Sequence, residues 1–152
     1  MKDSQDDKLE TVLSGLSPPG SARAAEHLPL ARGLVKDTLP SLGGNARLVQ
    51  VRQILLPPGG TTGWHYHHGP LLIVVREGSL THTFARDLST ELVQAGQAFV
   101  EAPGPAHGHI GTNLGTTPLV MYAIYFLPSP GSPLAEPIPA PGPQSDATPH
   151  TE

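Results

Sequence analysis

Short apolar runs separated by Gly and Pro occupy the middle of the chain. Arg47 to Leu56 is rich in Leu, Val and Ile and stops at Pro57-Pro58-Gly59-Gly60, which predicts a strand. His65 to His68 is a short extended piece. Leu71 to Arg76 is apolar at successive positions, as in a strand covered on both faces. Glu77-Gly78 predicts a hairpin turn, and Ser79 to Arg86 alternates and returns antiparallel. Thr90 to Gln94, Ala98 to Glu101, His107 to Thr112 and Leu119 to Leu127 follow as further strands. Asp87-Leu88-Ser89, Ala95-Gly96-Gln97, Pro103-Gly104-Pro105 and Asn113-Leu114-Gly115 punctuate them. Short strands at regular spacing predict an all-β sandwich or barrel.

The two ends have different patterns. Leu9, Val12, Leu13 and Leu16 recur at helical spacing, and Ser17-Pro18-Pro19-Gly20 stops the helix they predict. Residues 21–44 read as a connector, with the start of a strand at Gly33-Leu34-Val35. Beyond Leu127, Pro128, Pro130, Pro133, Pro137, Pro139, Pro141, Pro143 and Pro149 predict a polyproline-like or disordered tail. The expected division is an arm over 1–44, a barrel over 45–128 and a tail over 129–152, and loss of that tail should cost little stability.

Composition narrows the function. The chain has 152 residues, which suits one domain, and a formal net charge of −4. Between Asn45 and Leu127 the basic residues Arg47, Arg52, Arg76 and Arg86 balance Glu77, Asp87, Glu91 and Glu101. There is no basic stripe, so nucleic acid is not an expected partner. With no Cys, the chain has no disulfide, thiol nucleophile or thiolate metal site. The first residues lack an apolar targeting stretch, and no apolar run is long enough for a membrane helix. A soluble, cytoplasmic protein is expected.

The histidines carry the candidate chemistry. His65 and His67 are two apart, as are His107 and His109. In an extended chain residues i and i+2 share a face, so each pair presents two imidazoles in one direction. His68 breaks that parity and should face outward. If Glu77-Gly78 closes a hairpin, Leu71 and His82 share a face, which makes His82 a candidate fourth ligand or acid–base group. Glu101 is a candidate general base, and Asn113 should fix a turn through its side chain.

Gly59, His65, His67 and Gly78 fit the spacing of the first cupin motif, Gly, five residues, His-x-His, a short spacer, Glu, six residues, Gly. Gly96, Gly104, His107, His109 and Asn113 supply most of the second. The chain thus resembles the cupin family over residues 45–128. It departs at the motif Glu, which falls on Leu71 or Leu72. The resemblance implies a double-stranded β-helix (a jelly-roll barrel), a homodimer, and a divalent metal (Fe, Zn, Ni or Mn) inside the barrel. His65, His67 and His107 or His109 would hold the metal. Without the motif Glu the site is expected to be all-nitrogen, more positive, and suited to an anionic or chelating ligand. The implied function is a small metal-dependent enzyme acting on a small organic molecule. It would be an oxygenase, or a Lewis-acid isomerase, cyclase or lyase with His82 or Glu101 moving a proton. A non-catalytic barrel that binds a metal or small ligand is the alternative.

Overall fold

A computed structural model describes residues 24–36 and 45–142; the expected N-terminal helix lies outside the described residues. The strands are β1 (Glu26–Leu34), β2 (Leu48–Leu56), β3 (His65–Tyr66), β4 (Leu71–Glu77), β5 (Ser79–Phe84), β6 (Thr90–Gln94), β7 (Ala98–Glu101), β8 (His109–Thr112), β9 (Leu119–Leu127) and β10 (Glu136–Pro137). A single 3-10 turn, Pro105–His107, precedes β8. Two five-stranded sheets form, one in the order β1-β2-β9-β4-β7 and the other β10-β3-β8-β5-β6. All the pairings between these strands are antiparallel, as a jelly-roll barrel requires.

The apolar pattern dictates the packing. Leu119, Met121, Ala123, Tyr125 and Leu127 alternate inward along β9, which lies between β2 and β4. They meet Leu48, Ile54 and Leu56 from β2 and Leu71, Ile73 and Val75 from β4. Leu80 and Val93 close the core from the second sheet. Asn113 is buried and holds its turn as expected. Its amide donates to the carbonyls of Leu56 and Thr117, and its side-chain oxygen accepts from Gly115 N–H.

Three expectations need correction. Glu77-Gly78 does not close a hairpin: β4 pairs with β7 and β9, whereas β5 lies in the other sheet. Gly78, with φ of 77°, is instead the corner where the chain changes sheets. A Cβ there would press on the Pro118 carbonyl, so both conformation and space call for glycine. In the connector, a nine-residue strand β1 pairs along β2 with a bulge between Pro29 and Ala31.

The Pro-rich tail is not unstructured over its described part. Residues 131–138 alternate between exposed and half-buried, as an extended chain does when lying on a surface. Glu136 and Pro137 pair with Tyr66 and His65 on β3. Ile138 N–H donates to the Trp64 carbonyl at 3.0 Å, and Leu134 packs on the core. An edge position tolerates proline because one side of the strand needs no donors. Deleting residues 129–152 is therefore expected to cost roughly 2–3 kcal/mol, from lost hydrogen bonds and Leu134 burial. Thermal unfolding should show a drop of roughly 5–10 °C; an unchanged midpoint would show that the tail adds nothing.

Candidate metal centre

Two facing sheets bring the titratable side chains together. His65 on β3 is the direct cross-strand partner of His109 on β8. His67 lies just past β3 with the same parity and is buried. His82 reaches the same space from β5. Glu101, the last residue of β7, enters from the opposite sheet. His67, His82, His109 and Glu101 are each no more than 9% exposed. They line a cavity of about 440 Å³ with His65, Tyr125, Arg52 and an apolar wall that includes Leu71, Ile73 and Met121.

Backbone carbonyls fix how three of the rings present their nitrogens. His65 Nδ1 lies 2.8 Å from the Gly63 carbonyl, His67 Nδ1 2.7 Å from that of Leu134, and His109 Nδ1 2.9 Å from that of His107. A carbonyl only accepts, so each Nδ1 carries the proton and each Nε2 is left with a lone pair. His65 Nε2 and His67 Nε2 then face one another at 3.1 Å. Two lone pairs at that distance repel unless a cation lies between them. Burial, reinforced by the neighbouring His109, pushes the pKa of His65 down to about 4, so a second proton is a poor remedy. A metal ion is a good one: ligands about 2.0–2.1 Å from a shared ion lie about 3 Å apart. His65, His67 and His109 have nitrogens close enough together to hold one ion. His109 Nε2 and His82 Nε2 are buried and make no well-aligned hydrogen bond. The donor set fits a divalent transition metal.

Glu101 completes the cluster. Its Oε2 lies 3.0 Å from His67 Nε2 and 3.3 Å from His109 Nε2. Its Oε1 lies 3.4 Å from His82 Nε2. Burial disfavours its charge. Without a metal, a proton on the Nε2 of His109, His67 or His82 takes the cation's place beside Glu101, and these bonds outweigh burial and hold its carboxyl well below the usual carboxylate range. His82 shows the reverse balance. Burial opposes its cation, yet the carboxylates of Glu101 and Glu91 raise its pKa. Glu91 holds His82 Nδ1 at 3.0 Å.

The second expected pair divides. His107 ends the 3-10 turn with an exposed side chain and does not join the cluster. Only its carbonyl takes part, by orienting His109. The extended parity assumed for His107 to Thr112 fails because Pro105 starts a turn rather than a strand. His68 faces outward and meets Glu136 at 3.1 Å. Sequence reasoning missed Arg52, which shares strand parity with the buried Ile54 and Leu56 and lines the cavity.

The model of the family described as the cupin domain matches residues 52–125. The chain belongs to the cupin superfamily. Solved structures show the same fold. The polyketide cyclase RemF from Streptomyces resistomycificus is similar with a TM-score of 0.51 at 20% identity, covering 59% of this chain and 60% of that one. A cupin-like protein from Thermotoga maritima gives 0.50 at 22% identity, covering 60% and 65%. An oxalate oxidase shares 27% identity over 55% of this chain, with a TM-score of 0.48. The alignment covers 44% of that enzyme, so this chain spans less than half its length. No curated protein matches the sequence.

In this cupin the missing motif carboxylate has a neighbour that takes its place in space. Leu71 is buried against the cavity, and its cross-strand partner is Glu101. Directly opposed residues share a face, so a carboxylate enters one strand to the side of the motif position. The expectation of an all-nitrogen site is corrected accordingly.

The buried charges predict acid lability. Between pH 6.5 and about 4 the unfolded chain protonates His65 while the folded chain does not, so stability falls as pH falls. The loss is on the order of 3 kcal/mol across that window. Glu101, with its depressed pKa, stabilises the fold above the ordinary glutamate range and loses that contribution below it. His82, with a raised pKa, contributes fully below pH 6.5 and less as the pH climbs through its raised value. Denaturant unfolding of metal-free protein should show the acid slope between pH 6.5 and 4, and His65→Gln should flatten it. An equal slope in wild type and variant would contradict the buried neutral ring.

Proposed function

We propose that this cupin is an enzyme that holds one divalent metal ion on His65, His67 and His109, with Glu101 as a further donor, and acts on a small organic molecule in the adjoining cavity. The observation that carries this reading is the set of three Nδ1 protons committed to backbone carbonyls, which turns three Nε2 lone pairs on one point. Bound there, the ion would polarise a substrate oxygen, and iron would add dioxygen chemistry. The chain's own residues do the rest. The apolar wall of Leu71, Ile73, Leu80 and Met121 keeps water from the reacting groups and orients the substrate. His82 lies between Glu101 and Glu91 and is placed to move a proton to and from Glu101. The strands of the two sheets, rather than loops, supply most of these groups, which favours a fixed geometry.

Metal analysis of the purified full-length protein tests this directly. One zinc, iron, nickel or manganese per chain is expected in the wild type. His65→Ala, His67→Ala and His109→Ala should lose it, and His107→Ala should keep it. Glu101→Gln should weaken the metal by roughly ten- to a hundredfold. Iron with substrate-dependent oxygen uptake marks an oxygenase, and zinc or nickel without it marks a Lewis-acid enzyme. A wild type that takes up no metal would remove both catalytic readings. Stoichiometric metal with no turnover of any small molecule would favour a binding module.

A homodimer is part of the same proposal. Val49, Val51, Leu72, Val74, Ile124 and Phe126 lie side by side on the outer face of the first sheet. Such a patch suits a second copy of the chain. Light scattering should give twice the 15.9 kDa chain mass, and Ile124→Glu should halve it; a monomeric wild type would exclude the dimer.

A further inference from the structure

The cavity holds one cation that the histidine cluster does not use. Arg52 points inward from β2 in the same row as Ala123 on β9 and Ile73 on β4. Ala123 is too small to fill that row, so the arginine stem has space beside it. Its guanidinium Nε is buried without a hydrogen-bond partner. Among the described residues no carboxylate pairs with it. Glu101, the acidic residue lining the cavity, is already shared among three imidazoles. Arg52 instead has neutral neighbours. His27, at the cavity mouth, has its pKa lowered by burial and by Arg52. Tyr125 is pushed up to about 12 by burial, although Arg52 opposes the shift, so its phenol keeps its proton.

A guanidinium held in a partly desolvated cavity without a counter-ion is costly unless an anion joins it. Its planar fork matches a carboxylate in two parallel hydrogen bonds. Tyr125 adds a phenolic donor beside it. The Tyr125 ring also lies 6.0 Å from the His67 ring, so it touches on both the arginine and the histidine cluster in one cavity. We propose that the natural substrate is a small carboxylate with polar groups at both ends. Arg52 and Tyr125 bind its carboxylate, and an oxygen at its other end faces the histidine cluster. This deepens the enzyme reading above by naming a substrate class, and the Arg52 half can be tested without a metal.

The probes are straight-chain ω-hydroxycarboxylates from glycolate to 6-hydroxyhexanoate and the amide of each, titrated calorimetrically into full-length zinc-loaded protein. One chain length should bind at least tenfold more tightly than its amide. Arg52→Gln should bring that ratio close to one with zinc content unchanged. Arg52→Lys should keep part of the preference, since it retains the charge and loses the fork. Arg47→Gln, elsewhere on the barrel, should change nothing. A ratio that survives Arg52→Gln, or the lack of any preference for carboxylate over amide in the wild type, overturns the proposal. If Arg52→Gln does not fold, a ratio in Arg52→Lys equal to that of wild type overturns it as well. Metal-free protein separates the two readings. Butyrate should raise the melting temperature of the wild type more than butyramide does, and this difference should vanish in Arg52→Gln. That result in a protein that takes up no zinc would uphold the carboxylate site while the metal reading fell. Equal responses to butyrate and butyramide would overturn the carboxylate site itself.

Discussion

A neutral imidazole offers a lone pair to a cation only from the nitrogen that does not hold the proton. Everything at the centre of this barrel depends on where three protons are kept. Gly63, Leu134 and His107 each present a carbonyl to one Nδ1, so the backbone draws a proton to that nitrogen of each ring. The carbonyls come from three separate segments of the chain. The rings cannot be turned away from one another without giving up those bonds, and in their present orientation they repel unless a cation is shared. The fold thus supports a strained arrangement of lone pairs whose natural relief is a metal.

The two-sheet construction makes that arrangement possible. One sheet supplies the imidazoles and the other supplies the carboxylate, so opposite charges meet across the interior and not along one strand. Glu101 stands across the strand pair from Leu71, where the cupin motif has its acid, and Leu71 fills that position with apolar volume. The exchange keeps a carboxylate in the cluster while turning part of the wall apolar. Electrostatically, three rings crowd one carboxylate, and one of them, His82, reaches the surface through Glu91.

Much of this was legible in the chain. Strand limits from Leu71 to Leu127 follow from alternation and Gly/Pro punctuation, because both act locally. The i, i+2 histidine pair at 65 and 67 announces a shared face for the same reason. What failed was non-local. A positive-φ glycine serves a hairpin and a sheet-to-sheet corner equally well, so Gly78 could not reveal that β4 and β5 part company. His82 nevertheless turns inward, although the hairpin used to place it does not exist. Pro105 converts the approach to β8 into a 3-10 turn, which no parity count anticipates, and this separates His107 from His109. Strand β1 is exposed along its whole length, and Pro29 and the bulge after it interrupt the Leu28, Leu30 alternation, so its sequence shows no sustained strand pattern. The burial of Glu101 depends on rings up to 34 positions away, and only the assembled barrel brings them near.

The grip on His67 comes from outside the segment that matches the family. Leu134 lies beyond it, yet its carbonyl holds one of the three critical protons. The extended strip around it is held by few bonds and is rich in proline. Any event that peeled this strip from the barrel would free the His67 ring to rotate. The reactive interior would then be answerable to what happens on the outside of the molecule, with a single peptide oxygen as the coupling.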